Sequence, residues 1–513
     1  MDHEFVQRVS PFGEADCESE VRLLKQDYRE YFFYQTRFNS QALDPRVYLI
    51  VGRRGSGKTA LSQFFSFQRQ MRHATAIDVD EPAAFEQMLT KITNLGLPNR
   101  EVAIPKIARV WNFIIWLIVF RELKDEDVRI RAACIFGDQG GKTAVFVRHV
   151  LKLLLERFTK TDDLLAGLEV LLADSRIKAG KTAVLELTRR KPVIIAFDTL
   201  ENYTVSDSTI MWATAALIQC GSEFNQEYAS RGLHLKIFAM AEVFPYVKEE
   251  AILNPLKSVR NEVYLHWRPK DLMRLICWRF FHYLDAKDEL SSDSVSIDWD
   301  NYDDVREKMW TPYFGNSLKN QDGMTELTFP YVLRHTQMRP RQLIVLCNQI
   351  ANQAMRDKTF PIFQPDTILR AVSEAGRILS EEVFNSYSAV YPKVGTIVEA
   401  LSGLPMVFKG NELDKRAPLT ASEWTDGEYS PNAFRRLVSE LGVIGRVRYL
   451  NEQAGYLEAD FEYSSESRLP LQVTDTCVIH PMFYRKLNIR PSHRLRVYPF
   501  PEHEEFHQMA YRM

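Results

Sequence analysis

Residues Gly52, Arg53, Arg54, Gly55, Ser56, Gly57, Lys58 and Thr59 fit the pattern GxxxxGK[ST] at every fixed position. Each fixed residue type has a chemical reason. Glycines let the backbone come close to phosphate oxygens, so that successive N–H groups face an anion. A helix opening at the end of the loop adds its own unpaired N–H groups. Lys58 is expected to reach the β- and γ-phosphates, and the Thr59 hydroxyl to ligate Mg²⁺. The binding set predicted from the pattern is Gly52 to Thr59 with Ala60, and the expected ligand is magnesium-bound ATP.

Holding Mg²⁺ and activating water requires further acids. Val193-Ile-Ile-Ala-Phe197 followed by Asp198 is an apolar strand ending in a carboxylate, the pattern of a Walker B segment. Open α/β sheets bind ligands at the carboxyl ends of their strands, which is where Asp198 falls. Asp198 and Thr59 are the predicted metal ligands. Many ATPases carry a glutamate directly after that aspartate, but here the neighbour is Thr199, which cannot serve as a carboxylate base. Glu201, or Glu242 after the fourth strand, is then the candidate base; without either, hydrolysis is slow and the chain is mainly a nucleotide-controlled switch. Arg260, just before the fifth strand, and Arg341, opening the helix in RPRQL, are candidates to sense the γ-phosphate.

Two similar segments fail on spacing. Gly137-Asp-Gln-Gly-Gly-Lys-Thr143 has Phe136 where the first glycine belongs, and Ala179-Gly-Lys-Thr182 has Ser175 there. Neither follows a buried strand, so both are expected to be helix caps or loops.

The elements that must position the loop can be read from apolar patterning. Val47–Val51, Thr75–Val79, Pro192–Phe197, Leu233–Ala241 and Glu262–Trp267 are short apolar runs separated by helical stretches. Such alternation predicts a parallel five-stranded sheet in an α/β sandwich. The long gap between the second and third runs, about residues 81 to 190, carries helical periodicity and is expected to be a helical insertion. Within it, Val110–Phe120 is entirely apolar apart from Asn112 and is bounded by Arg109 and Arg121. That is shorter than the roughly 20 residues a spanning helix needs, so a buried core helix is expected. Residues 268–390 read as a helical lid. In RPRQLIVLCNQIANQAM, Leu343, Leu346, Cys347, Ile350, Ala351 and Ala354 form one apolar stripe. The remainder, 391–513, gives helices followed by hairpin strands, the order of a winged helix. The expected divisions are a helical lead-in (1–45), the sheet domain (46–267), the lid (268–390) and a small winged-helix-like α+β domain (391–513).

VGRRGSGKTAL, IIAFDTLE, the strand order and RPRQL together resemble bacterial P-loop ATPases of the AAA+/STAND group with an origin-recognition-like core. The lead-in YFFYQTRFNSQALDP and the tail segments Gly442–Val447, Phe461–Tyr463 and Val478–Phe483 extend the resemblance over residues 28 to 487. It implies a P-loop NTPase core, a helical lid and a C-terminal winged-helix-like domain, with Arg341 near the sensor-2 position. Thr199 departs from that pattern, as does Ala239-Met-Ala-Glu242, which lacks the polar residue common at sensor 1. Such ATPases are often encoded beside partners in bacterial conflict systems, which implies a defence role by association alone.

With 65 Lys+Arg against 67 Asp+Glu, the chain has no global charge to draw it to nucleic acid or an anionic membrane. Six scattered cysteines without CxxC spacing predict reduced thiols, and a polar N-terminus does not resemble a signal peptide, so a cytoplasmic protein is expected. Eleven histidines show no metal spacing, and His480, Trp111 and Trp116 are expected to be packed core residues. The leading expectation is an ATP-dependent switch that forms homo-oligomers and contacts a protein partner. An alternative uses NAFRRLVSELGVI as a groove helix, with Arg435 and Arg436 on DNA. It is disfavoured because residues 391–513 hold 15 basic and 16 acidic residues, not a basic footprint. The other alternative is a scaffold subunit in which ATP is structural.

Overall fold

A computed structural model describes residues 8–33, 35–67, 75–78, 99–136, 145–146, 149–150, 152–153, 161–198, 208–252, 259, 261–290, 296–388, 390–424, 428–464, 468–490 and 495–500. The chain divides into two compact units, Thr36–Leu265 and Met1–Gln35 with His266–Met513.

The unit spanning Thr36–Leu265 is a mixed α/β body built on a parallel sheet. Its strands are β1 (Leu49–Gly52), β2 (Thr75–Asp78), β3 (Val193–Asp198), β4 (Leu233–Met240) and β5 (Glu262–Tyr264), in the order β2-β3-β4-β1-β5. All four pairings are parallel. β1 and β4 are buried along their whole length, which is why they read as continuous apolar runs instead of alternating ones. β5 is shorter than the run Glu262–Trp267 predicts; its last bond to β1 is Leu265 N–H to Val51 O at 2.9 Å.

Among the described residues between β2 and β3, helices predominate as expected. Counting the labelled helices from the N-terminus, α1 is Cys17–Leu24, α2 is Lys58–Phe67, α3 is Arg100–Leu123, α4 is Thr161–Ala173, α5 is Ser175–Thr188 and α6 is Ser208–Tyr228. Asn99 caps α3 by accepting the Val102 N–H. From Val110 to Phe120 the helix is apolar apart from Asn112 and is packed inside this unit, with Trp111, Phe113, Trp116 and Phe120 each at most 1% exposed. Trp111 Nε1 donates to Ala213 O at 3.0 Å, joining α3 to α6. Of the helical periodicity expected between 81 and 190, the stretch VRHVLKLLLERF (147–158) lies largely outside the described residues, as does the glycine-rich segment at 137–143. The segment Ala179–Thr182 is neither cap nor loop: it sits in the middle of α5, where Gly180 is needed because a Cβ would stand 2.5 Å from Ala133 Cβ.

The unit holding the C-terminal residues changes the expected divisions. The lead-in belongs with it and ends at Gln35, not at residue 45. Residues 268–390 and 391–513 are not two separate bodies either; one hydrophobic core runs through both, from Phe12 to Phe500. Its longer helices after α1 are α7 (Pro269–Asp285), α8 (Pro340–Arg356), α9 (Pro365–Tyr387) and α10 (Pro431–Glu440). The predicted stripe on α8 is wholly buried, all six side chains at 0% exposure. Each fully buried Leu or Ile in it contributes about 1.5–3 kcal/mol.

A hairpin of β6 (Ser317–Lys319) and β7 (Thr325–Leu327) interrupts the helices, where the sequence predicts helix alone. After α9, helices lead to a hairpin as predicted, but within a five-stranded sheet. Its strands are β8 (Val407–Lys409), β9 (Ile444–Asn451), β10 (Tyr456–Asp460), β11 (Thr476–Ile479) and β12 (Arg496–Tyr498), in the order β12-β10-β9-β11-β8.

The N-terminal segment is held by a buried ion pair. Arg279 on α7 donates through both Nη atoms to the two carboxylate oxygens of Glu20 on α1, each at 2.9 Å. Phe12 stacks on Phe280 beside it, with ring centroids 4.7 Å apart. Burial pushes the Glu20 carboxyl up, and the guanidinium pulls against that shift. Truncating Glu20→Ala would leave a buried guanidinium without its counter-charge. A loss of about 3–5 kcal/mol in urea unfolding is expected; a loss below about 1 kcal/mol would show that the pair is solvated and not an anchor.

Candidate functional site

The glycine loop connects β1 directly to α2. Gly55 and Gly57 take φ of 79° and 98°, in the left-handed region where side chains are disfavoured. A Cβ added to Gly57 would meet nothing within 4 Å, so it is the backbone conformation that calls for glycine, and that face of the loop is open. Gly52 has the opposite reason: a Cβ there would stand 2.4 Å from Ser56 Oγ. Ser56 N–H donates to Arg53 O at 3.0 Å, tightening the turn.

Lys58 is the first residue of α2 and is only 5% exposed. Its ammonium folds back over the loop and donates to Gly52 O at 3.1 Å and Arg53 O at 3.3 Å. The positive charge is thereby fixed against the loop, at the N-terminus of α2. Buried cation, left-handed glycines and a helix N-terminus together make a loop that fits a polyphosphate.

Sheet order brings the ends of β3 and β4, and with them the Asp198 backbone and Glu242, to the same edge as the loop. β4 lies between β1 and β3. Gly52 is in register with Met240 of β4, and Asp198, the last residue of β3, is in register with Phe238 of the same strand. The backbone of Asp198 therefore ends one strand away from the loop. Its side chain, and Thr199, Glu201 and Arg260, lie outside the described residues. Glu242 follows β4 and is 3% exposed; its Oε1 accepts the Arg54 N–H at 3.0 Å. Arg341 is on α8 in the other unit. Its Nε donates to Ala15 O at 3.0 Å and its Nη1 stands 3.9 Å from Glu382, so it helps bind the N-terminal segment to α8 and α9.

One feature of β4, at the end of the sheet away from the loop, escaped sequence reasoning. Lys236 lies in the middle of β4 with no exposure, and its ammonium donates to Asp44 O at 2.8 Å and Val47 O at 2.5 Å. It ties down the turn that feeds β1. Burial pulls its pKa down to about 7, against a smaller upward pull from Asp44. His234, two residues earlier, is pulled down to about 4 by burial and then by Lys236. The signal was present in Leu-His-Leu-Lys, polar residues inside a strand otherwise apolar on both faces.

The remaining candidates are structural. His480 is fully buried; its Nδ1 accepts the Met482 N–H at 3.1 Å, so its proton sits on Nε2 toward Tyr463 Oη at 2.8 Å. Burial holds its pKa down to about 3, leaving it neutral. Lys181, within Ala179–Thr182, rests its ammonium 4.7 Å from the Trp116 ring centroid. None of the six cysteines is in a disulfide, and no cluster of three metal-ligating side chains occurs among the described residues. On the proposed groove helix and wing, Arg435 pairs with Asp414 at 3.1 Å and Arg436 with Glu440 at 2.6 Å. Arg448 pairs with Glu458 at 3.1 Å, and Arg446 stands 3.9 Å from Asp460.

A lysine whose folded pKa lies below its ordinary value favours folding more as pH rises. Between about pH 7 and 10.5 the unfolded chain binds the extra proton, so stability increases with pH across that window. Replacing Lys236→Met should remove this increment: in urea unfolding, the variant's gain over the unmodified chain should be larger at pH 7 than at pH 9.5. Parallel pH profiles for the two proteins would contradict the burial argument.

No known protein family matches the chain, and no curated protein matches it.

Proposed function

We propose that the chain binds a nucleoside triphosphate, ATP, through Gly52–Ala60 and acts as a slowly hydrolysing switch that controls self-assembly or contact with a protein partner. The observation that carries this is the loop between β1 and α2, where Gly55 and Gly57 are left-handed, the face at Gly57 is open and Lys58 is held buried against the backbone. Its place at the carboxyl edge of a parallel sheet, one strand from the end of β3, supports it further.

In this role the loop N–H groups and the N-terminus of α2 orient phosphate oxygens, and Lys58 supplies the fixed positive charge. Thr59 and Asp198 would hold Mg²⁺, which when bound neutralises phosphate charge and polarises the reacting bond. Thr199 offers no carboxylate beside Asp198, which favours slow turnover and a long-lived bound state. Loss of a γ-phosphate would remove contacts made only in the triphosphate state and so shift the populations of two arrangements.

The C-terminal sheet and α10 suit a protein partner better than a nucleic acid. Duplex binding draws on arginines free to reach phosphates, whereas Arg435, Arg436 and Arg448 are each paired to a carboxylate within the unit.

Titration calorimetry of the full chain with ATP and Mg²⁺ tests the proposal. The unmodified protein should bind, and Lys58→Ala should weaken binding by about a hundredfold or more. Equal affinity in the two proteins would reject Gly52–Thr59 as the nucleotide loop.

A further inference from the structure

We propose that Glu242 is a positioning residue of the glycine loop, clamping its first half through the Arg54 amide and setting by its charge how tightly a triphosphate is held. The Glu242 assignment rests on the proposed nucleotide role of Gly52–Thr59, but assigns this carboxylate a part other than that of general base.

The geometry starts from the last rung between β4 and β1, where Ala241 N–H donates to Gly52 O at 3.1 Å. The next residue is Glu242, which turns its buried carboxylate onto the Arg54 N–H at 3.0 Å. Lys58 covers Gly52 O and Arg53 O, and Ser56 N–H also reaches Arg53 O. Three successive residues, Gly52, Arg53 and Arg54, are thus each tied by a hydrogen bond from outside the strand. The later half, around Gly57, keeps its open face. Glu242 is separated from Arg54 by 188 positions in the chain, so this contact is made by the fold and not by local turn chemistry.

Two separable effects follow from one carboxylate. As an acceptor, it fixes an amide that would otherwise be free to rotate the loop, and a hydrogen bond to a charged group is among the stronger ones. As a charge, it opposes a polyanion bound to the same loop, and burial leaves that repulsion poorly screened by salt. The opposition grows with ligand charge, so it acts more on ATP than on ADP. Glu242→Gln keeps an acceptor oxygen of the same shape and removes the charge; Glu242→Ala removes both.

Equilibrium binding of ATP and of ADP, each with Mg²⁺, and phosphate release are measured on the full chain and both variants. Glu242→Gln is expected to bind ATP about tenfold tighter than the unmodified chain, with a smaller gain for ADP, and Glu242→Ala to bind both about tenfold weaker. Phosphate release by Glu242→Gln should persist when ATP is saturating. Unchanged affinities with abolished release in Glu242→Gln would make Glu242 the general base and overturn the proposal, and equal affinities in the two variants would overturn the clamp. If Glu242→Ala does not fold, the ATP-to-ADP affinity ratio of Glu242→Gln decides alone. Failure of the unmodified chain to bind either nucleotide would instead overturn the nucleotide role itself.

Discussion

The pairing of β1 with β4 is the constraint on which the candidate site depends. These strands are far apart in the chain, yet their register sets Gly52 against Met240 and carries Ala241 and Glu242 onto the glycine loop. The same strand, β4, is in register with β3 and so fixes how far Asp198 stands from the loop. A slip of one residue would turn every β4 side chain to the opposite face. It would take Lys236 off the carbonyls of Asp44 and Val47 and Glu242 off the Arg54 amide. The site is thus a property of one parallel junction, and the helices on either side serve to bury it.

Much of this junction was legible in the chain. Strands buried on both faces appear as short apolar runs, and the loop pattern stands directly after the first of them. The stripe on α8 was legible because burial on one face selects apolar residues at helical spacing, and the middle of α3 because burial all round gives a continuous apolar run. What escaped notice was made by long-range polar contacts. Nothing local in residues 8–33 says that they belong with residues 266–513, because the ties are long-range: the Glu20–Arg279 ion pair, the Phe12–Phe280 stack and the Arg341 bond to Ala15 O. The β6–β7 hairpin is too short to leave a pattern, three residues on each side. Glu242 was legible as an acid after a strand, but its partner, a backbone amide, has no side-chain signature.

Buried charge serves different ends in the two units. In the C-terminal unit Arg279 meets Glu20 and Arg334 meets Glu326, side chain to side chain, at 2.9 and 3.0 Å. Such pairs add little net stability over apolar replacements but are costly to break, so they select one docking of the segments they join. In the sheet unit Lys58 and Lys236 donate instead to backbone carbonyls. Carbonyl partners hold an ammonium in place without cancelling its charge, and a phosphate bound beside Lys58 would add a charge-assisted contact to that fixed group.

Amide hydrogen exchange of the full chain, with and without ATP and Mg²⁺, tests the central claim most directly. A triphosphate seated on the loop donors predicts that peptides covering residues 52–61 become the most strongly protected in the molecule. No change in those peptides, with protection appearing elsewhere or nowhere, would contradict it.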